Sequence, residues 1–148
     1  MDEATPSAPA LTAVALTELL REQFSEVFQA GGSPVIENVR HGGARIRMPF
    51  QSHTLRPGGT ISGPTMMALT DVTLYVAVLA SIGWVPLAVT TQISINFLRK
   101  PEPADLIAEG RLVKLGKRLA VGEVSIRSEG REELVAHATG TYSIPEKR

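Results

Sequence analysis

An α+β fold, with an antiparallel sheet wrapped around one long helix, is the architecture this sequence predicts. Three observations lead there. Residues 62–83, SGPTMMALTDVTLYVAVLASIG, form a long apolar run holding a single charge, Asp71. Four strand-like segments follow, the last three joined by short turns. A helix and a hairpin come before it. A helix apolar on nearly every side must be enclosed, and neighbouring antiparallel strands supply the layer that encloses it.

The elements read in order as follows. Residues 11–30 repeat Leu16, Leu19, Leu20, Phe24, Val27 and Phe28 at helical spacing, and Gly31-Gly32 ends that helix. Ser33-Pro34 opens a strand over 35–41. Gly42-Gly43 turns the chain, and 44–50 alternates Ile46 and Met48 against Arg45 and Arg47. Residues 51–63 are a loop by composition. Pro64 then starts the long helix, which runs to about Ser81 and is expected to be buried all round. In the strand 87–101, Val89, Thr91, Ile93, Ile95 and Phe97 point one way, and Thr90, Gln92, Ser94 and Asn96 the other. Strands over 104–116, 118–129 and 133–145 complete the sheet, turning at Gly116-Lys117 and at Ser128-Glu129-Gly130.

A chain of 148 residues suits one domain with a real core. Residues 1–10 read as a loose arm and 11–148 as the domain. Aromatics are 5%, so the core must be aliphatic. Fifteen basic residues balance fifteen acidic ones, which gives no general attraction to nucleic acid or to a charged membrane. The absence of cysteine removes disulfides, thiolate nucleophiles and Cys-based zinc sites, and makes the cytoplasm the default location. The start of the chain lacks the basic stretch of a signal peptide. Residues 62–89 are long enough to span a bilayer, but Asp71 near the centre, the threonines, Gly83 and Pro86 argue for a soluble core helix.

Asp71 is the only charge between Arg56 and Arg99. A carboxylate in an apolar helix is either a satisfied structural group or a functional one. Ionised, it can act as a base or a nucleophile. Ser62-Gly63-Pro64 starts the helix behind a loop. It reads either as a simple cap or as an oxyanion site, with Gly63 the better donor because Pro64 has no N–H. Arg99-Lys100 and Lys117-Arg118 lie at strand ends, as solvated turn charges or as contacts to a phosphorylated ligand. His41, His53 and His137 show no metal-ligand spacing, and no metal is expected. Of the three, only His53, in the glycine loop, is placed near the helix start.

These features occur together in a fixed order: glycine loop, apolar helix carrying an acid, FLRKP, LGKR and VAHATGTY. The series resembles the hotdog-fold acyl-CoA thioesterases of the phenylacetate-pathway (PaaI) type over residues 35–145, with the N-terminal helix an addition. The resemblance implies acyl-CoA thioester hydrolysis. Gly63 falls at the oxyanion N–H, with Ser62 beside it. Asp71 falls at the nucleophile or general base, and Thr90 near a strand hydroxyl that places water. Gly116, Lys117 and Arg118 fall in the turn that touches coenzyme A, with Arg99 and Lys100 as further contacts. No cofactor or metal is implied, coenzyme A being part of the substrate. A homodimer or dimer of dimers is implied, with Asp71 of one protomer facing a thioester held at Gly63 of the other. The chain departs from the family pattern where the usual His is Ser62, the second Gly is Pro64 and an upstream Asn is Arg56. Arg56 is placed to pair with Asp71 or to contact substrate. The competing readings are a non-catalytic acyl-CoA-binding dimer and an enoyl-CoA hydratase.

Overall fold

The computed structural model describes residues 8–28, 33–51, 55–56 and 60–146. Most of the arm expected over 1–10, the glycines at 31–32, and His53 with most of its loop lie outside them. From Ala10 the chain is tied down, since its N–H donates to Ala80 O at 2.7 Å. Two helices come first, α1 (Ala13–Gln23) and α2 (Ser25–Phe28), followed by strands β1 (Val35–Arg40) and β2 (Gly43–Met48). A two-residue ladder, β3 (Leu55–Arg56) with β4 (Thr60–Ile61), leads into the long helix α3 (Gly63–Ile82). The remaining strands are β5 (Val89–Phe97), β6 (Leu106–Leu115), β7 (Leu119–Ser128) and β8 (Leu134–Ser143).

The six long strands form one antiparallel sheet in the order β1-β2-β6-β7-β8-β5. Strand β5 does not pair with β6, the next in sequence. Residues 98–105 carry the chain across to β2, and β5 closes the far edge against β8.

Helix α3 is held at both ends by its own sequence. Ser62 caps its start, accepting from Thr65 N at 3.4 Å, and Pro64 sits in the first turn, where no helical partner needs its N–H. Gly83, at φ +94°, ends it, donating its N–H to Leu79 O. The helix packs against β1, β2, β5, β6, β7 and β8. Leu69, Leu74, Val76 and Leu79 are fully enclosed, together with Leu16 and Leu20 of α1. Full burial of each such side chain is worth about 1.5–3 kcal/mol. The sheet makes room for Leu74 with two glycines: a Cβ on Gly122 or Gly140, which face each other across β7 and β8, would meet Leu74 at 2.7 or 2.5 Å.

Helix α3 has the length and apolarity of a membrane span, with mean hydropathy 1.7, yet it is the core helix of this fold. It is not buried all round. The sheet covers one side, and a stripe with exposed Met67 and Ala68 and half-buried Asp71, Val72 and Tyr75 stays open. The helix expected over 11–30 also breaks. Phe24 leaves helical geometry at φ −130°, ψ 53°, and its ring meets Tyr75 edge-on at 5.9 Å.

Candidate active site

Asp71 lies two turns into α3, half-buried on the open stripe. Its Oδ1 receives two hydroxyls. Thr90 Oγ1 donates at 2.6 Å, and the phenol of Tyr142 donates to the same oxygen. The Tyr142 hydroxyl also lies 3.0 Å from the main-chain O of Asp71, so one phenol spans both ends of the residue. Among the described residues no group donates to Oδ2, and no Lys, Arg or His forms an ion pair with the carboxylate. Among the described residues, Asp71 thus has no cationic partner and one oxygen without a donor.

A defect in β5 aims Thr90 at this carboxylate. Simple alternation sets Thr90 opposite Ile93, Ile95 and Phe97. A bulge between Thr90 and Gln92 adds one residue, so Thr90 pairs with Tyr142 and turns to the helix side with Ile93. The faces expected for β5 are corrected there. Tyr142 sits on the inner face of β8, after Ala136, Ala138 and Gly140. It is only 3% exposed, and its ring stacks on Tyr75 at 6.0 Å. Burial pushes its ionisation well above the ordinary phenol range, and the hydrogen bond to Asp71 adds to that, so its proton stays in place as a donor.

The carboxylate opens on a slot of about 290 Å³. Phe24, Val27 and Phe28 of the N-terminal helices form one wall, and Val72, Tyr75 and Ala88 another. None of these is marked as a site residue by sequence. Tyr142 closes the VAHATGTY motif, and its place on the inner face of β8 among small residues is the available signal. Phe24 and Val27 read as the core face of one continuous helix, and only the break at Phe24 turns them to the slot.

The other expected site residues are not gathered at Asp71 in one chain. Ser62 and Gly63 lie at the start of α3, about 12 Å along the axis from Asp71 at 1.5 Å per residue. Ser62 Oγ is 2.8 Å from Thr65 Oγ1. No described residue accepts from the N–H of Gly63, and the ring of Phe97 lies 3.3 Å from where a Cβ would stand. Gly116, Lys117 and Arg118 line a cleft of about 460 Å³ with Ile82 and Val85 at the opposite end of α3, where Arg118 pairs with Glu146 at 2.8 Å. Arg99 and Lys100 border a third, smaller cleft, and Arg99 Nε donates to Leu134 O. Arg56 has its backbone in β3, and its side chain lies outside what the structure describes.

A sheet wrapped around one helix, with a carboxylate on the helix's open stripe beside an apolar slot, is a hotdog arrangement. Residues 58–135 match the thioesterase superfamily, and the chain belongs to that family. It is a thioester hydrolase of the PaaI-like group. A solved candidate thioesterase from Silicibacter sp. TM1040 is 43% identical, over 96% of this chain and 97% of its own, with a TM-score of 0.85. The phenylacetic acid degradation protein PaaI of Thermus thermophilus, solved as a mutant, is 25% identical over 83% of this chain and 99% of its own, with a TM-score of 0.69. A candidate esterase of Saccharolobus solfataricus is 29% identical over 136 residues, 92% of this chain and 87% of its own.

Proposed function

We propose that this thioesterase hydrolyses acyl-CoA to a free acid and coenzyme A at Asp71. The observation that carries the reading is the carboxylate itself: Oδ1 held by two neutral hydroxyls, Oδ2 free, no cation paired with it among the described residues, and an apolar slot in front. As a base, Asp71 takes a proton from water while the water oxygen attacks the thioester carbonyl. The tetrahedral oxyanion then collapses, the C–S bond breaks, and the thiolate leaves and regains a proton as the thiol. As a nucleophile, Asp71 would instead form an anhydride that water cleaves. Single turnover in H₂¹⁸O reports the second route when water cleaves the anhydride at the Asp71 carbonyl, because ¹⁸O then stays in Asp71, whereas the base route puts it only in the acid product. Either route runs without a cofactor or metal.

The oxyanion donor comes from a second copy. An N–H about 12 Å from the base cannot serve the same carbonyl, since both must approach to about 3 Å. Strand β5 supports the solution. It is an edge strand bearing exposed Val89 and Phe97, and the open stripe of α3 with exposed Met67 is likewise uncovered. Bare apolar edges of this kind are normally covered. Thr90, near one end of β5, holds Asp71, and Phe97, at the other end, lies against Gly63. Antiparallel pairing of β5 with its own copy about its middle therefore sets Asp71 of one protomer beside Gly63 of the other. Val85 lines the cleft of Gly116, Lys117 and Arg118, and the next residue, Pro86, lines the Asp71 slot, so that cleft is the proposed place for the phosphate end of coenzyme A. Arg99 and Lys100 follow Phe97 closely and would reach the site from the partner. A cysteine-free chain acting on acyl-CoA fits the cytoplasm.

The test is thiol release from a panel of acyl-CoAs. Hydrolysis of at least one class with catalytic turnover supports the reading. Tight binding of acyl-CoA without turnover, or water addition to an enoyl-CoA in its place, contradicts it.

A further inference from the structure

Tyr142 stands out among the groups around the slot because, among the described residues, its hydroxyl meets only Asp71 and the Thr90 that shares it. Its ring is buried and stacked on Tyr75, so packing does not need the oxygen. Tyr75 cannot substitute as a donor, because its own hydroxyl is committed to Pro86 O at 2.9 Å. The Tyr142 phenol reaches both the main-chain O and Oδ1 of the same aspartate. A single donor bridging those two atoms restricts rotation of the Asp71 side chain. With Thr90 on the same oxygen at 2.6 Å, both donors fall on Oδ1 and, among the described residues, none on Oδ2.

We infer that Tyr142 is a positioning residue for Asp71: its hydroxyl, with that of Thr90, locks the carboxylate through Oδ1 so that Oδ2 alone is presented to the slot. This rests on the reading of Asp71 as the reacting group. The lock works without touching substrate. A carboxylate free to rotate would spend part of its time with Oδ2 turned from the attacking water, and small errors of placement cost turnover steeply. The phenol donates, and its raised ionisation keeps it from giving its proton up to the carboxylate.

Tyr142→Phe keeps the ring and its stack and removes only the hydroxyl. Losing one hydrogen bond to a charged group at the reacting centre predicts a fall in kcat of about tenfold, with KM within about twofold, since substrate contacts remain. The melting temperature should stay within a few degrees of wild type. The decisive measurement is the double variant. In an Asp71→Asn background, Tyr142→Phe should cause no further loss, whereas a merely structural role would subtract again. Wild-type kcat in Tyr142→Phe, an additive loss in the double variant, or loss of the folded protein in the Phe variant would each overturn the inference. If Asp71→Asn itself retains full turnover, the underlying reading of the site fails instead, and that result is separate.

Discussion

Two carboxylates in this molecule are held in opposite ways. Glu37, on the outer face of the sheet, accepts from Arg45 Nε at Oε1 (3.0 Å) and from Arg47 Nε at Oε2 (2.9 Å). Arg47 also meets Asp105 and Glu129, and Arg45 meets Glu109. Every charge in that lattice has an opposite neighbour, and Arg47 foremost holds Glu37 below the ordinary glutamate range. Asp71, on the other side of the sheet, has hydroxyls in place of guanidiniums. Among the described residues no cation meets it, and one oxygen has no donor. Ion-paired carboxylates on a solvated face serve the fold modestly. In the proposed reading, a carboxylate ordered by neutral donors beside a cavity is the one left to react.

Breaking the proposed dimer, which in this account completes the site at Asp71, should have a large effect. Ser94 is exposed near the middle of β5, and Ser94→Asp would set two like charges against each other across the self-paired edge. Sedimentation should show dimerisation weakened at least about tenfold, with turnover falling as dimer is lost. A fully active monomer would contradict the shared site. Next comes the distant end of the substrate. Lys117→Ala with Arg118→Ala should raise KM several-fold and leave kcat near wild type, with the difference larger at low salt because exposed charges are screened. A loss confined to kcat would put those residues in the chemistry.

The smallest effect belongs to the other carboxylate. Glu37→Gln should leave turnover unchanged and cost about 1 kcal/mol of stability, a few degrees in Tm. Its pH dependence has a definite sign. A lowered folded pKa adds stability above the unfolded value, near 4.5, and that gain is lost as pH falls through the folded value. Melting curves of wild type and Glu37→Gln should therefore differ most at neutral pH and converge below about pH 4.5. A turnover defect in Glu37→Gln would erase the contrast with Asp71.

Much of this is legible in the chain. The strands after α3 are marked by alternation and short turns, and the helix by its apolar run. Asp71 is conspicuous as a lone charge in that run. What is not legible depends on distance. The placement of β5 against β8 is set by where residues 98–105 lead the chain, which no local pattern encodes. Alternation puts Thr90 on the wrong face because it assumes a regular ladder, and the bulge at Thr91 breaks it. Tyr142 meets Asp71 across 71 positions of sequence. The open stripe on α3 is hidden because apolar residues look the same in sequence whether the chain's own sheet covers them or leaves them open.

The most direct test of the central claim is Asp71→Asn, with melting and single-turnover acyl-CoA hydrolysis measured on one preparation. Asparagine keeps the size and accepts the same hydroxyls at its carbonyl oxygen, but it carries no charge and no basic oxygen. Turnover should fall about 10²-fold or more while the protein still folds and binds acyl-CoA. The melting temperature should not drop, because an unpaired charge has been replaced by a neutral amide. A folded Asp71→Asn protein turning over at the wild-type rate would contradict the account and make Asp71 a structural residue.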